Sequence, residues 1–177
     1  VGGYRREGIR TGKEATDNAP LHGGKGMLYE GGIRVPYIAC RSGTIAAGSE
    51  SETPINSVDL YPTLLEVTGA ARPSGVTLDG TSYAALLNGK DLEGDRPPLY
   101  WHFPGYLGAN QNTWRTTPAG AIRDGYWKLI EFFEEGRKEL YNLREDVGER
   151  KDLAAVEPGK VAELYSKLLA WREAVGA

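Results

Sequence analysis

The chain has 177 residues, 40% hydrophobic and 10% aromatic, which suits one domain, or one domain plus part of another, with a real core. Its net charge of −3 comes with no basic stripe, so a nucleic-acid partner is disfavoured. No apolar run approaches the ~18 residues a membrane span needs, and no signal-peptide pattern opens the chain. The start, "VGGYRREG", lacks Met and reads as the middle of a longer protein.

In chain order, Val1 to Ala19 is polar and aperiodic and reads as loop. Ile33–Cys40 holds Val35, Tyr37, Ile38 and Ala39, a short apolar run expected to form a buried strand, with Pro36 restricting it to an edge or to the strand's first residues. Cys40, the only cysteine, has no disulfide partner and no zinc-type neighbours, and is expected to be a buried structural thiol. Ser42 to Pro54 is loop by composition. "NSVDLYPTLLEVTGA" predicts a helix capped by Ser57 or Asp59, with Leu60, Leu64, Leu65 and Val67 on one face and Gly69 as stop. A short helix is expected in "GTSYAALLNGK", with Thr81 or Ser82 as cap and Gly89 as stop.

Lys90 to Pro98 is charged and proline-bearing, a subdomain boundary by texture. Beyond it "LYWHF" reads as a strand, followed by strand candidates Ala121–Arg123, Tyr126–Phe133 and Lys138–Leu143. Asp124–Gly125 and Glu134–Gly136 supply the turns of an antiparallel meander. The last segment predicts an amphipathic helix, with Val161, Leu164, Tyr165, Leu168, Trp171 and Val175 at helical spacing and Pro158 in its first turn. The meander can bury its apolar face against this helix.

The stretch "HGGKG" places Lys25 among glycines. Glycine lets a ligand approach the main chain closely, and an ammonium suits sulfate or phosphate oxygens, so the stretch reads as an anion-contact loop. It is not a P-loop, because Gly24-Lys25 is followed by Gly26 and Gly12-Lys13 by Glu14.

"APLHGGKGMLYEGGIRVPYI" resembles the L-R-G-G-K-G-x-x-Y-E-G-G-x-R-V-P segment of the formylglycine-dependent sulfatases, within the alkaline-phosphatase-like superfamily. "SVDLYPTLLEVTGA", "LDGTSYAALLNGK", "PLYWHFPGY" and "AIRDGYWKLIEFFEEGRKELYNLREDVGERKDLA" continue the resemblance in order over almost the whole chain. It implies an α/β fold. Residues 1–90 would be the C-terminal part of a large mixed-sheet domain, with Ile33–Cys40 as one strand. Residues 91–177 would be a small α+β subdomain, an antiparallel sheet packed on a C-terminal helix.

The same resemblance implies that Lys25 contacts the sulfate, and that His102 of "YWHFPGY" lies near the pocket mouth as substrate contact or proton donor; the plain alternative is a histidine ending an aromatic strand. Glu30 and Arg34 read as structural, a charge pair holding the loop, and His22, where the family has arginine, reads as solvated. Gly105 and Tyr106 stand where members carry a second histidine, so the substrate class does not carry over. Tyr100, Trp101, Phe103, Tyr106 and Trp114 fit either a sugar or aryl site or the core. Asp17-Asn18 looks like the family's metal-binding pair but aligns instead with the loop before the lysine segment, so no metal ligand is expected in this chain.

Cys40 is followed by "RSGT", not by the x-P-S-R of the formylglycine precursor. The resemblance therefore places the nucleophile and the calcium ligands upstream of Val1, in a missing N-terminal part that would be this chain's partner. The chain alone would be inactive, and export is expected. The implied substrate is an aryl or carbohydrate sulfate ester. A phosphate- or phosphonate-ester hydrolase of the same superfamily, and a non-catalytic binding domain derived from a sulfatase, stay open as alternatives.

Overall fold

The computed structural model describes residues 17–92, 96–108 and 114–177, so the opening expectation of loop for Val1 to Ala19 lies largely outside the described residues. These residues divide into two units. One joins residues 17–35 to 98–177, and the other spans Pro36–Pro97.

The first unit is built on four antiparallel strands in the order β1-β2-β3-β4: β1 (Leu99–Phe103), β2 (Ala119–Asp124), β3 (Trp127–Phe132) and β4 (Arg137–Asn142). The expected meander forms because short apolar runs are separated by tight turns that each carry a glycine at positive φ, 57° at Gly125 and 63° at Gly136. Register gives the sheet two distinct faces. Tyr100, Ile122, Leu129 and Leu140 lie opposite one another in the ladder and point one way. Onto them packs α4 (Pro158–Val175), with Pro158 in its first turn and Leu164 and Leu168 fully buried. Each such side chain contributes on the order of 2 kcal/mol by leaving water. Tyr100 stacks on Trp171 with ring centroids 4.8 Å apart.

The other face carries Trp101, Ala121 and Ile130, with Tyr141 beside them. The glycine segment closes over it: Leu28 and Tyr29 pack on this cluster, and the single turn α1 (Glu30–Ile33) follows. The sheet is thus covered by the long helix on one side and by the lysine segment on the other.

In the second unit a 3₁₀ turn, Ser57–Asp59, leads into α2 (Leu60–Thr68), and α3 (Ala84–Leu87) follows. Asp59 holds the N-cap position of α2, as expected, though without a side-chain cap bond, and Asn56 caps the 3₁₀ turn before it. Asn56 accepts from the Ser57 N–H while Asp59 Oδ2 accepts from the Asn56 N–H at 2.6 Å, a reciprocal capping box. Gly69 ends α2 as expected, whereas Tyr83 and not Thr81 or Ser82 holds the N-cap position of α3, with Ser82 Oγ accepting from the Ala84 N–H.

Two expectations fail. Ile33–Cys40 is not a strand: Ile33 closes α1, and the residues after it have no regular structure. A strand needs a ladder partner for its backbone groups, and among the described residues this segment has none. Val35 and Ile38 accordingly stay 77% and 89% exposed. Cys40 is exposed rather than buried for the same reason. Leu60 and Leu64 of α2 are exposed, and with Val67, Tyr83 and Cys40 they line an open apolar concavity.

Candidate functional site

The lysine loop is shaped by backbone crowding. Asn18 Nδ2 donates to the carbonyls of Gly23 and Gly31, at 3.2 and 3.0 Å, drawing two parts of the loop together. The coil is tight enough that a Cβ at Gly31 would lie 2.5 Å from the carbonyl oxygens of both His22 and Gly23, and one at Gly32 would lie 2.7 Å from that of Gly24. Real Cβ atoms do not approach backbone so closely, so these two glycines are demanded by chain packing. His22 is exposed as expected, but its ring stacks on Tyr29 at 4.0 Å.

At the tip of the coil Lys25 is exposed. Its own main chain is held from outside the loop. Arg115 Nη1 donates to the Lys25 carbonyl at 3.0 Å, and Thr116 Oγ1 donates to the carbonyl of Gly26. Arg115 and Thr116 belong to a two-armed connection between β1 and β2, bridged at Leu107 and Thr116. The main chain at Lys25 and Gly26 is thus fixed from outside the loop, while the Lys25 side chain is exposed.

Behind the loop lies a buried ion cluster. Lys128, from β3, is fully buried, with its Nζ 3.0 Å from Glu30 and 2.8 Å from Glu149. Arg123 of β2 reaches Glu30 at 3.4 Å, and Glu149 accepts from the Glu30 N–H at 2.6 Å. Two acids thus face two bases. Burial pushes the Glu149 carboxyl above its usual range, against the pull of Lys128, and burial lowers the Arg123 guanidinium, with Glu30 opposing. A second tie runs through Tyr29, whose hydroxyl donates to Glu139 at 2.7 Å; burial first, and then Glu139, hold that phenol well above its ordinary value. Glu30 is structural, as expected, but its partners are Lys128 and Arg123. The expected Glu30–Arg34 pair does not form, because Arg34 is exposed while Glu30 turns inward onto the sheet.

His102 sits on β1 at a position of opposite parity to Trp101, so it shares the α4 face of the sheet with Tyr100. Its ring lies 5.4 Å from that of Phe133, and its Nδ1 is buried with no hydrogen-bond partner among the described residues. The lysine loop packs on the other face. The structure thus joins Lys25 to Arg115 and Thr116, and His102 to Phe133, without a residue common to the two sets.

Calcium is not accommodated by what is described. Among the described residues no group of three or more His, Cys, Asp or Glu is arranged to hold a metal. Asp17 and Asn18 are engaged within the loop, Asp17 Oδ1 accepting from the Ala19 N–H at 2.9 Å and Asn18 donating as above.

Sequence reasoning missed Lys128, Glu149, Arg115 and Thr116. Lys128 did carry a signal, since a lysine in the run "WKLIEF" sits where alternation puts one face of a strand covered on both sides. Glu149 carried none.

Comparison with known proteins decides the family. The N-sulphoglucosamine sulphohydrolase C-terminal family model matches residues 22–173. The chain belongs to the sulfatases. As a sulfatase C-terminal portion it is 36% identical over 170 residues to a sulfatase of Formosa agariphila, covering 88% of this chain and 30% of that protein. It is 32% identical over 170 residues to human arylsulfatase A, covering 84% of this chain and 31% of that protein. Among solved structures, that of Ps i-CgsB in complex with k-i-k-neocarrahexaose superposes with a TM-score of 0.72 at 27% identity, over 89% of this chain and 33% of that one. The fold is therefore alkaline-phosphatase-like α/β, and the chain spans about a third of the length of the relatives it matches. Among the described residues no helix is long and apolar enough to cross a membrane.

Proposed function

We propose that this chain is the C-terminal part of a sulfuric ester hydrolase, in which Lys25 contacts the oxygens of the sulfuryl group during its transfer. The observation that carries this reading is an exposed ammonium on a main chain held at both Lys25 and Gly26 by Arg115 and Thr116. Charge develops on the sulfuryl and leaving oxygens as the ester bond breaks. A cation already in place stabilises that charge without reorganisation, which is worth roughly 10²–10³ in rate for a single donor.

In this reading the formylglycine nucleophile and the calcium ligands are supplied by residues upstream of Val1, and the chain by itself does not turn over sulfate esters. Residues up to about 90 complete a larger α/β domain. Residues from about 91 belong to the small subdomain. The substrate is an aryl or carbohydrate sulfate, and the reading places the whole protein among exported enzymes.

His102 enters as a substrate contact or as proton donor to the leaving oxygen, supported by its buried Nδ1 without a partner. The packed alternative predicts that His102→Phe keeps activity; the chemical role predicts a fall in kcat with a shifted pH profile.

The deciding experiment uses the complete gene product and 4-nitrophenyl sulfate. Lys25→Ala is expected to lower kcat/KM by about 10²–10³, with Lys25→Arg recovering part of it. An unchanged kcat/KM in a folded Lys25→Ala protein, or no hydrolysis of any sulfate ester by the parent, overturns the proposal.

A further inference from the structure

Of the aromatic side chains in or near β1, the structure sorts four. Tyr100 is stacked under Trp171, and Trp101 packs in the cluster beneath the lysine loop. Tyr106 and Trp114 are different: each remains 46% exposed, with ring centroids 5.2 Å apart and planes inclined at 48°. They stand on the two arms of the β1–β2 connection, one residue away from the groups that hold the lysine loop. Tyr106 precedes Leu107, whose side chain abuts Gly26, and Trp114 precedes Arg115, which donates to the Lys25 carbonyl. The aromatic pair and the lysine are thus mounted on one interlocked piece of backbone.

The geometry points to Tyr106 and Trp114 as a stacking platform for the hexose ring of a sulfated sugar, a specificity site beside Lys25 that deepens the hydrolase reading above and rests on it for the role of Lys25. A pyranose has apolar faces of C–H groups and a rim of hydroxyls. Two inclined, half-exposed aromatic faces remove the C–H surface from water. The rim needs hydrogen-bond partners, and Glu134 supplies one. Its exposed carboxylate accepts from the Tyr106 hydroxyl, which fixes the tyrosine ring, and a carboxylate has acceptor positions beyond that one bond. This hydrogen bond also raises the Tyr106 phenol above its ordinary value, so the donor stays protonated. Acceptors at the rim favour a sugar over an aryl group, because an aryl ring offers no hydroxyl donors. The charge order agrees: the cation lies on the loop for the sulfate, and the anion lies at the aromatic edge for the neutral hydroxyls.

The test uses the complete gene product with sulfated heparin, chondroitin and carrageenan oligosaccharides, by calorimetry, and the same esters alongside 4-nitrophenyl sulfate in hydrolysis assays. Tyr106→Ala and Trp114→Ala are each expected to weaken oligosaccharide binding about tenfold, and to lower the sugar-to-aryl ratio of kcat/KM through KM rather than kcat. Trp114→Phe is expected to restore most of the loss, which a merely structural role would not require. Binding unaltered in both folded alanine variants, an equal loss on sugar and aryl esters, or a parent that binds none of the oligosaccharides overturns the inference. A parent that binds oligosaccharides through these rings but hydrolyses neither ester retains the platform and removes the hydrolase reading instead.

Discussion

Replacing Lys128 with methionine keeps the length of the side chain and removes its charge. Two carboxylates, on Glu30 and Glu149, would then face an apolar thioether in a site with no exposure, and Arg123, 3.4 Å from Glu30, would be the only cation left in the cluster. At an effective dielectric of 20, a contact of 3 Å corresponds to roughly 5 kcal/mol of attraction before desolvation is subtracted. Breaking a buried pair by removing one partner costs about 3–5 kcal/mol in measured cases, a large share of a typical domain's stability. We therefore expect Lys128→Met to lose about 3–5 kcal/mol in urea unfolding of the complete gene product, followed by near-UV circular dichroism. The triple variant Lys128→Met, Glu30→Gln, Glu149→Gln is expected to regain most of that, because the penalty belongs to unpaired buried charge and not to the missing amine. A loss below about 1 kcal/mol for the single variant, or a triple variant no more stable than the single, refutes the reasoning.

The raised Glu149 carboxyl has its own signature. The folded protein holds this proton to higher pH than the unfolded chain does, so the stability it lends is complete below pH 4.5 and is lost as pH rises through the raised value. Denaturation midpoints followed upward from pH 4 should fall less steeply in Glu149→Gln than in the parent; parallel profiles would contradict this. Gly32→Ala should cost about 1–3 kcal/mol and displace the lysine loop, because the new Cβ meets first the Met27 carbonyl and then that of Gly24 at 2.7 Å, and backbone cannot step aside as a side chain can. An alanine variant with parental stability and parental KM for 4-nitrophenyl sulfate would show that the coil is looser than described.

Legibility followed locality. The meander and α4 were readable because period-2 runs, the Asp124–Gly125 turn and the 3.6-residue spacing of Leu164, Leu168 and Trp171 are written within a few residues of each other. Ile33–Cys40 has the composition of a strand, but composition does not report whether a partner strand is at hand, and among the described residues none is. The same limit hid Glu149. Its acceptor role toward the Glu30 N–H joins positions 119 residues apart, and "VGER" holds no local mark of burial. Arg34 was the natural partner for Glu30 by proximity in the chain, whereas the coil of α1 turns Glu30 onto Lys128 and Arg123. Lys25 was visible through its glycines, although the glycines at 31 and 32 answer to backbone crowding and not to a ligand. The residues that hold its peptide, Arg115 and Thr116, lie 90 positions away and belong to an unremarkable polar stretch.

That separation shapes the order in which the protein is made. The glycine segment leaves the ribosome with Asn18 already made, yet its ties to the sheet, from Arg115 to Glu149, are encoded after the whole of Pro36–Pro97. At about 5–20 residues per second, the 119 positions between Glu30 and Glu149 take roughly 6–24 s to synthesise. For that interval a buried-to-be glutamate and a coil tied only by its own local hydrogen bonds wait in solvent, while the intervening unit is free to fold first.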